Sequence, residues 1–82
     1  MSKGSTKVLI IDDEASIRRF LRVSLEAHAF KVFEAQNGQE GIQEVIARRP
    51  DLILLDLALP DQSGIDVWLA NFLDVQENFV SR

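Results

Sequence analysis

The chain has 82 residues, room for one small domain, and its 46% hydrophobic and 27% charged residues exclude a disordered, collagenous or low-complexity protein. It has no cysteine, so disulfides and thiolate metal sites are excluded, and a core this small supplies only about 3–5 kcal/mol unless a partner chain or an oxygen-ligated cation adds to it. A net charge of −4 speaks against a basic nucleic-acid-binding face, and no apolar run is long enough to span a bilayer or to form a signal-peptide core, so a soluble, cytoplasmic protein is expected.

Residues 1–6 are small and polar and read as a flexible lead-in. From Lys7 to Asp12 the chain is almost continuously apolar, partly β-branched, and closes on acids, the pattern of a strand buried on both faces. From Glu14 to His28 the residues Ile17, Phe20, Leu21 and Leu25 fall at helical spacing, with Arg18, Arg19, Arg22 and Glu26 opposite and Asp13 where an N-cap would stand. His28, at the end of this helix, reads as a cation suited to the helix dipole rather than as a ligand.

Phe30 to Ala35 alternates like a half-buried strand, and Asn37-Gly38 supplies a turn. A second helix is predicted over Gln39 to Arg49, with Ile42, Val45 and Ile46 on one stripe and Pro50 as its stop. Asp51 to Asp56 repeats the first strand pattern, an apolar run closing on an acid, and a loop from Leu57 to Ser63 leads to Gly64. Ile65, Trp68, Leu69, Phe72, Gln76, Phe79 and Val80 then predict the inward stripe of a third helix running almost to the C-terminus.

The sum is β-α-β-α-β-α with short connections, which implies an α/β fold with a parallel sheet and right-handed crossovers. Ligands of such sheets bind at the carboxyl ends of the strands, where Asp12 and Asp13 follow the first strand and Asp56 the third. Taken singly, Asp13 reads as a helix cap and a strand-end aspartate as a solvated turn residue. Taken together, at matching ends of two neighbouring strands, the three carboxylates converge and repel, and a cation relieves that repulsion. Oxygen ligands without His or Cys favour Mg²⁺.

The segments Val8 to Glu14, Ala35 to Gly41 and Pro50 to Gly64, with the acidic pair, the acid-terminated third strand and the Leu-Pro-Asp loop in this order, resemble the receiver domain of bacterial two-component response regulators. The run Ile17 to Arg22 and the loop from Asp56 to Asp61 resemble the OmpR/PhoB class. In the second segment Gly41 stands where alanine is commoner in the family. The resemblance implies a flavodoxin-like (CheY-like) sheet in the order 2-1-3, a sensor histidine kinase as partner, and Asp56 as phosphoacceptor. It implies Mg²⁺ held by Asp12, Asp13 and Asp56 with the carbonyl of Ala58, and a first helix that meets the kinase. Such a module receives a phosphoryl group and is not itself an enzyme.

The resemblance ends near Val67, so a truncated receiver over 7–82 is expected, with a divergent C-terminal helix over 68–82. The family's fourth strand ends in a Ser or Thr that binds the phosphoryl oxygen and its fifth in a pairing Lys, and neither is apparent here. Lys7 and Lys31 fall at strand starts, the wrong end of the sheet, and the only other lysine, Lys3, lies in the lead-in. Leu52 to Leu55 would then form an open edge, from which a homodimer is expected, with Trp68, Phe72 and Phe79 packing across the join. Direct DNA binding by this chain is not expected. The alternative functional reading is a phosphorylation-incompetent, self-associating structural module. A Mg²⁺-dependent phosphatase is weakened by the want of a placed general acid.

Overall fold

The computed structural model describes residues 6–56 and 79–81. Four strands, β1 (Lys7–Ile11), β2 (Lys31–Ala35), β3 (Leu52–Leu55) and β4 (Phe79–Ser81), form one sheet in the order β2-β1-β3-β4. All neighbours are parallel: Leu9 faces Phe33 on one side and Ile53 on the other, and Ile53 faces Phe79. Helix α1 (Ala15–Glu26) joins β1 to β2, and α2 (Gly38–Arg48) joins β2 to β3. The expected order 2-1-3 is therefore present, with one strand added outside β3.

That fourth strand corrects two expectations. Phe79 and Val80 belong to a strand, not to the inward stripe of a third helix, and β3 is not an open edge, because β4 pairs with it from Ile53 to Leu55. An aromatic and a β-branched residue suit a strand, and β3's unpaired backbone groups supply the partner. Residues 56–78 exceed the dozen or so that a parallel crossover needs. The rest of the expected helix, with Trp68 and Phe72, lies outside the described residues.

Alternation along β1 sends Leu9 and Ile11 to one face and Val8 and Ile10 to the other, and all four are buried. On the first face, Leu9, Ile11, Ala35, Ile53 and Leu55 form one core cluster with Val45 of α2, and Phe33 and Ile42 pack against it. Helix α2 comes close because Gly41 has no side chain: a Cβ there would lie 2.5 Å from Ile11 Cδ1. Its N-terminus is capped by Asn37, whose side chain accepts from the Glu40 amide at 2.8 Å. Its C-terminus closes on Arg49 in the left-handed region, and the Arg48 guanidinium lies 4.7 Å from the centre of the Phe33 ring.

Helix α1 covers the other face, against β1 and β2, and none of its residues is fully buried. Ile17, Leu21 and Leu25 are half-buried as expected, but Phe20 is 69% exposed and leaves the inward stripe. Its place is taken by Arg18 and Arg22, one turn apart, which reach Glu34 of β2 and are not a free solvated face. Their apolar stems cover the sheet while their heads meet the carboxylate. The helix begins after Glu14 rather than at Asp13, and the Glu14 amide donates to Asp12 Oδ1 at 2.9 Å, so Asp12 holds this turn. His28 Nδ1 lies 2.9 Å from the Ser24 carbonyl oxygen at the far end.

Candidate functional site

Each candidate acid stands one or two residues beyond a strand whose register is locked by the core. The Asp12 amide donates to the Ala35 carbonyl at 3.1 Å, and the Asp56 amide donates to the Ile11 carbonyl at 3.0 Å. Both acids are thereby held by the last rungs of the sheet, side by side at its carboxyl edge. Asp12 is 2% exposed and Asp56 6%, whereas Asp13 is open to solvent.

Carboxylate oxygens of Asp12, Asp13 and Asp56 lie within 4.8 Å of one another. At about 5 Å and an effective dielectric near 20, two such charges repel by roughly 3 kcal/mol, so the cluster attracts a cation. The donors are hard oxygens, with no His or Cys in the group, and two of the three are buried and fixed by backbone bonds. This set fits Mg²⁺. The fourth expected ligand, the carbonyl of Ala58, lies outside the described residues.

Two further features adjoin the acids. Ser81 ends β4 in register with Leu55, and so occupies the carboxyl end of the strand beside Asp56. The sequence alone predicts no fourth strand and so no residue of this type at that edge. Lys7 and Lys31 open β1 and β2 at the opposite end, as expected. Behind the turn from β1 to α1, Arg18 Nη1 donates to the Asp12 carbonyl at 2.7 Å, while its Nε donates to Glu34 Oε1 at 2.9 Å. Arg22 Nε donates to the other oxygen of Glu34.

Burial alone would raise the Glu34 carboxyl, but the hydrogen bonds from Arg22 and Arg18 and their positive charges outweigh it and hold it below the usual glutamate range. Glu40 is also lowered, chiefly by the hydrogen bonds it accepts from the Gln36 side chain and backbone amide. Sequence reasoning missed the Arg18–Glu34 connection. The available signal was Glu34 itself, a single acid inside an otherwise apolar alternation on the α1 side of β2.

The family profile "Response regulator receiver domain" matches residues 8–71. The chain is 56% identical over 61 residues to the KDP operon transcriptional regulatory protein KdpE of Escherichia coli, a match covering 74% of this chain and 27% of that protein. It is 50% identical over 64 residues to the transcriptional regulatory protein ResD of Bacillus subtilis, covering 78% of this chain and 27% of that one. Among solved structures, the signal receiver domain of a putative Luxo repressor protein from Vibrio parahaemolyticus superposes with a TM-score of 0.78 at 30% identity, over 93% of this chain and 59% of that domain. The N-terminal domain of the nisin resistance regulator NsrR superposes with a TM-score of 0.75 at 31% identity, over 94% of this chain and 65% of that one. The chain thus spans about a quarter of the length of the curated relatives it matches. On the family profile, on the identity to regulators such as KdpE, and on the parallel sheet in the expected order, the chain belongs to the receiver domain family of two-component response regulators.

Proposed function

We propose that this chain is a receiver-type phosphoacceptor module that takes a phosphoryl group onto Asp56. Receivers of this family interact with sensor histidine kinases, and a phosphohistidine of such a kinase is the donor in this reading. A carboxylate oxygen of Asp56 attacks the phosphorus, the P–N bond breaks with its electron pair staying on the imidazole, and an acyl phosphate forms. The observation that carries the reading is the convergence of Asp12, Asp13 and Asp56 at one sheet edge.

In this reading Asp12, Asp13, Asp56 and the carbonyl of Ala58 hold Mg²⁺, which when bound neutralises charge between the carboxylate and the phosphoryl oxygens. The hydrogen bonds that the Asp12 and Asp56 amides donate to the Ala35 and Ile11 carbonyls keep the two acids from turning away. Ser81 ends β4 in register with Leu55, at the carboxyl edge of the strand beside Asp56. Among the described residues no lysine stands at this edge. On the outer side of α1, Ala15, Ser16, Arg19, Phe20 and Val23 line an open apolar groove, which we assign to the kinase.

The test is intact-protein mass after incubation with acetyl phosphate and Mg²⁺. One phosphoryl adduct is expected on the unaltered chain and none on Asp56→Asn. No adduct on a folded, Mg²⁺-bound chain would remove the reading. The self-associating alternative drew its motive from an open β3 edge, and β4 occupies that edge.

A further inference from the structure

We infer that Arg18 is the positioning residue of the acidic site: it locks the turn that carries Asp12 and Asp13 toward Asp56 and thereby sets the affinity for a divalent cation. Arg18 acts on the carboxylates through the backbone that carries them. Its guanidinium donates through Nη1 to the backbone carbonyl of Asp12 at 2.7 Å and through Nε to Glu34 at 2.9 Å. Its side chain is only 16% exposed, so this bridge is not a loose surface pair.

The bridge connects three elements. Glu34 is fixed on β2, Arg18 on α1, and the Asp12 carbonyl on the turn between β1 and α1. Asp12 is held at its other groups as well, by the hydrogen bond its amide donates to the Ala35 carbonyl and by the one the Glu14 amide donates to its Oδ1. Of these bonds, only the one from Arg18 ties the carbonyl that orients the Asp12–Asp13 peptide. Asp13, the exposed member of the cluster, hangs from that peptide and has no burial of its own to aim it. Groups that orient ligands from behind are commonly worth tenfold or more in metal affinity.

Charge and position act in opposite directions here, which makes the inference decidable. Arg18 is a cation beside an acidic cluster, so through space it repels a second cation, and its neutralisation alone would tighten Mg²⁺ binding. If its work is to hold the turn, neutralisation weakens binding instead. Lysine retains the charge but cannot present two donors in a fixed plane, so it does not replace arginine here.

The inference rests on the reading of the acids as a Mg²⁺ site, and the experiment separates the two. Mg²⁺ is titrated calorimetrically into the unaltered chain, Arg18→Met, Arg18→Lys and Glu34→Gln, each checked by circular dichroism at the titration temperature. The expected result is a dissociation constant raised about tenfold in both Arg18 variants, with a smaller rise in Glu34→Gln. Unchanged or tighter binding in a folded Arg18→Met, or full recovery in Arg18→Lys, overturns the inference while leaving the Mg²⁺ site intact. Should Arg18→Met fail to fold, unchanged affinity in a folded Glu34→Gln or Arg18→Lys overturns it equally. No Mg²⁺ binding by the unaltered chain removes the site reading itself and this inference with it.

Discussion

The amide of Asp56 donates a 3.0 Å hydrogen bond to the carbonyl of Ile11, the residue before Asp12. This bond extends the β1–β3 ladder one step beyond the Ile11–Leu55 pair and sets two buried carboxylates beside each other. The site is therefore a property of strand register. A one-residue slip of β3 would turn the apolar side chains of Ile53 and Leu55 to the wrong face, so the energy that fixes the acids comes from the core beneath them.

Repulsion within the cluster gives the first expectation. Asp13→Asn removes one charge from an exposed position and should stabilise the metal-free chain by less than about 1 kcal/mol. The same change should remove most of the stabilisation that Mg²⁺ gives the unaltered chain, because a ligand stabilises only as far as it binds the folded state. Urea unfolding with chelator and with Mg²⁺ measures both; equal Mg²⁺ stabilisation in the two proteins would contradict the assignment of Asp13.

Glu34 gives the pH dependence. Its carboxyl titrates below the usual glutamate value in the folded chain because Arg22 and Arg18 bond to it against the cost of its burial. A depressed folded value means the unfolded chain takes up the proton first as pH falls. The contribution is fully present above about pH 4.3 and is lost as pH falls through the lower, folded value. Glu34→Gln should therefore be less stable than the parent near neutrality, by about 1 kcal/mol for a partly exposed pair, and the difference should shrink in acid. Thermal melts between neutral and acidic pH test the sign.

Close approach at Gly41 predicts a double-mutant cycle. Gly41→Ala brings a methyl group to 2.5 Å from Ile11 Cδ1, an overpacking that costs about 1–3 kcal/mol, against about 1 kcal/mol gained in helix propensity. The net effect should be neutral to destabilising. In an Ile11→Val background the 2.5 Å contact is gone while Cγ1 at 3.1 Å and Cγ2 at 3.3 Å stay close, so the same substitution should cost less than in the parent. Additive effects in the cycle would show that the two side chains do not meet.

Phe20 tests the proposal that the outer side of α1 meets the kinase. It is 69% exposed, so Phe20→Ala should change stability by no more than about 0.5 kcal/mol. Phosphoryl transfer from a sensor kinase should fall, while the yield with acetyl phosphate, which needs no docking, stays as in the parent. Equal loss with both donors would place the defect at Asp56 rather than at the groove.

The three long strands and the acid cluster were legible because two independent signals coincide there. Val8 to Ile11 and Leu52 to Leu55 are continuous apolar runs, and each closes on an aspartate. What was not legible depends on distant partners. Phe79 and Val80 satisfy helical spacing from Phe72 and Gln76 as well as they satisfy a strand, and three residues are too few for periodicity to decide. The edge of β3 decides, and only the folded chain presents it. Arg18 differs: on a helical wheel it stands only about 60° from Leu21 and about 20° from Leu25, beside the inward stripe, and its charge alone argued for the outer face until β2 supplied Glu34 as its partner.

Removal of residues 79–82 should therefore produce the behaviour that the sequence alone suggested for the whole chain. With β4 gone, the backbone groups of β3 along Ile53 to Leu55 lose their partner strand, and an apolar edge of this kind pairs with another copy. The shortened chain should sediment as a concentration-dependent oligomer and lose stability relative to the full chain under the same conditions. Sedimentation of the shortened chain as a monomer across the same concentrations would mean that β4 is not what protects β3. The oligomer, in contrast, would mean that Phe79, Val80 and Ser81 cover β3, on a strand that ends at the edge where Asp56 stands.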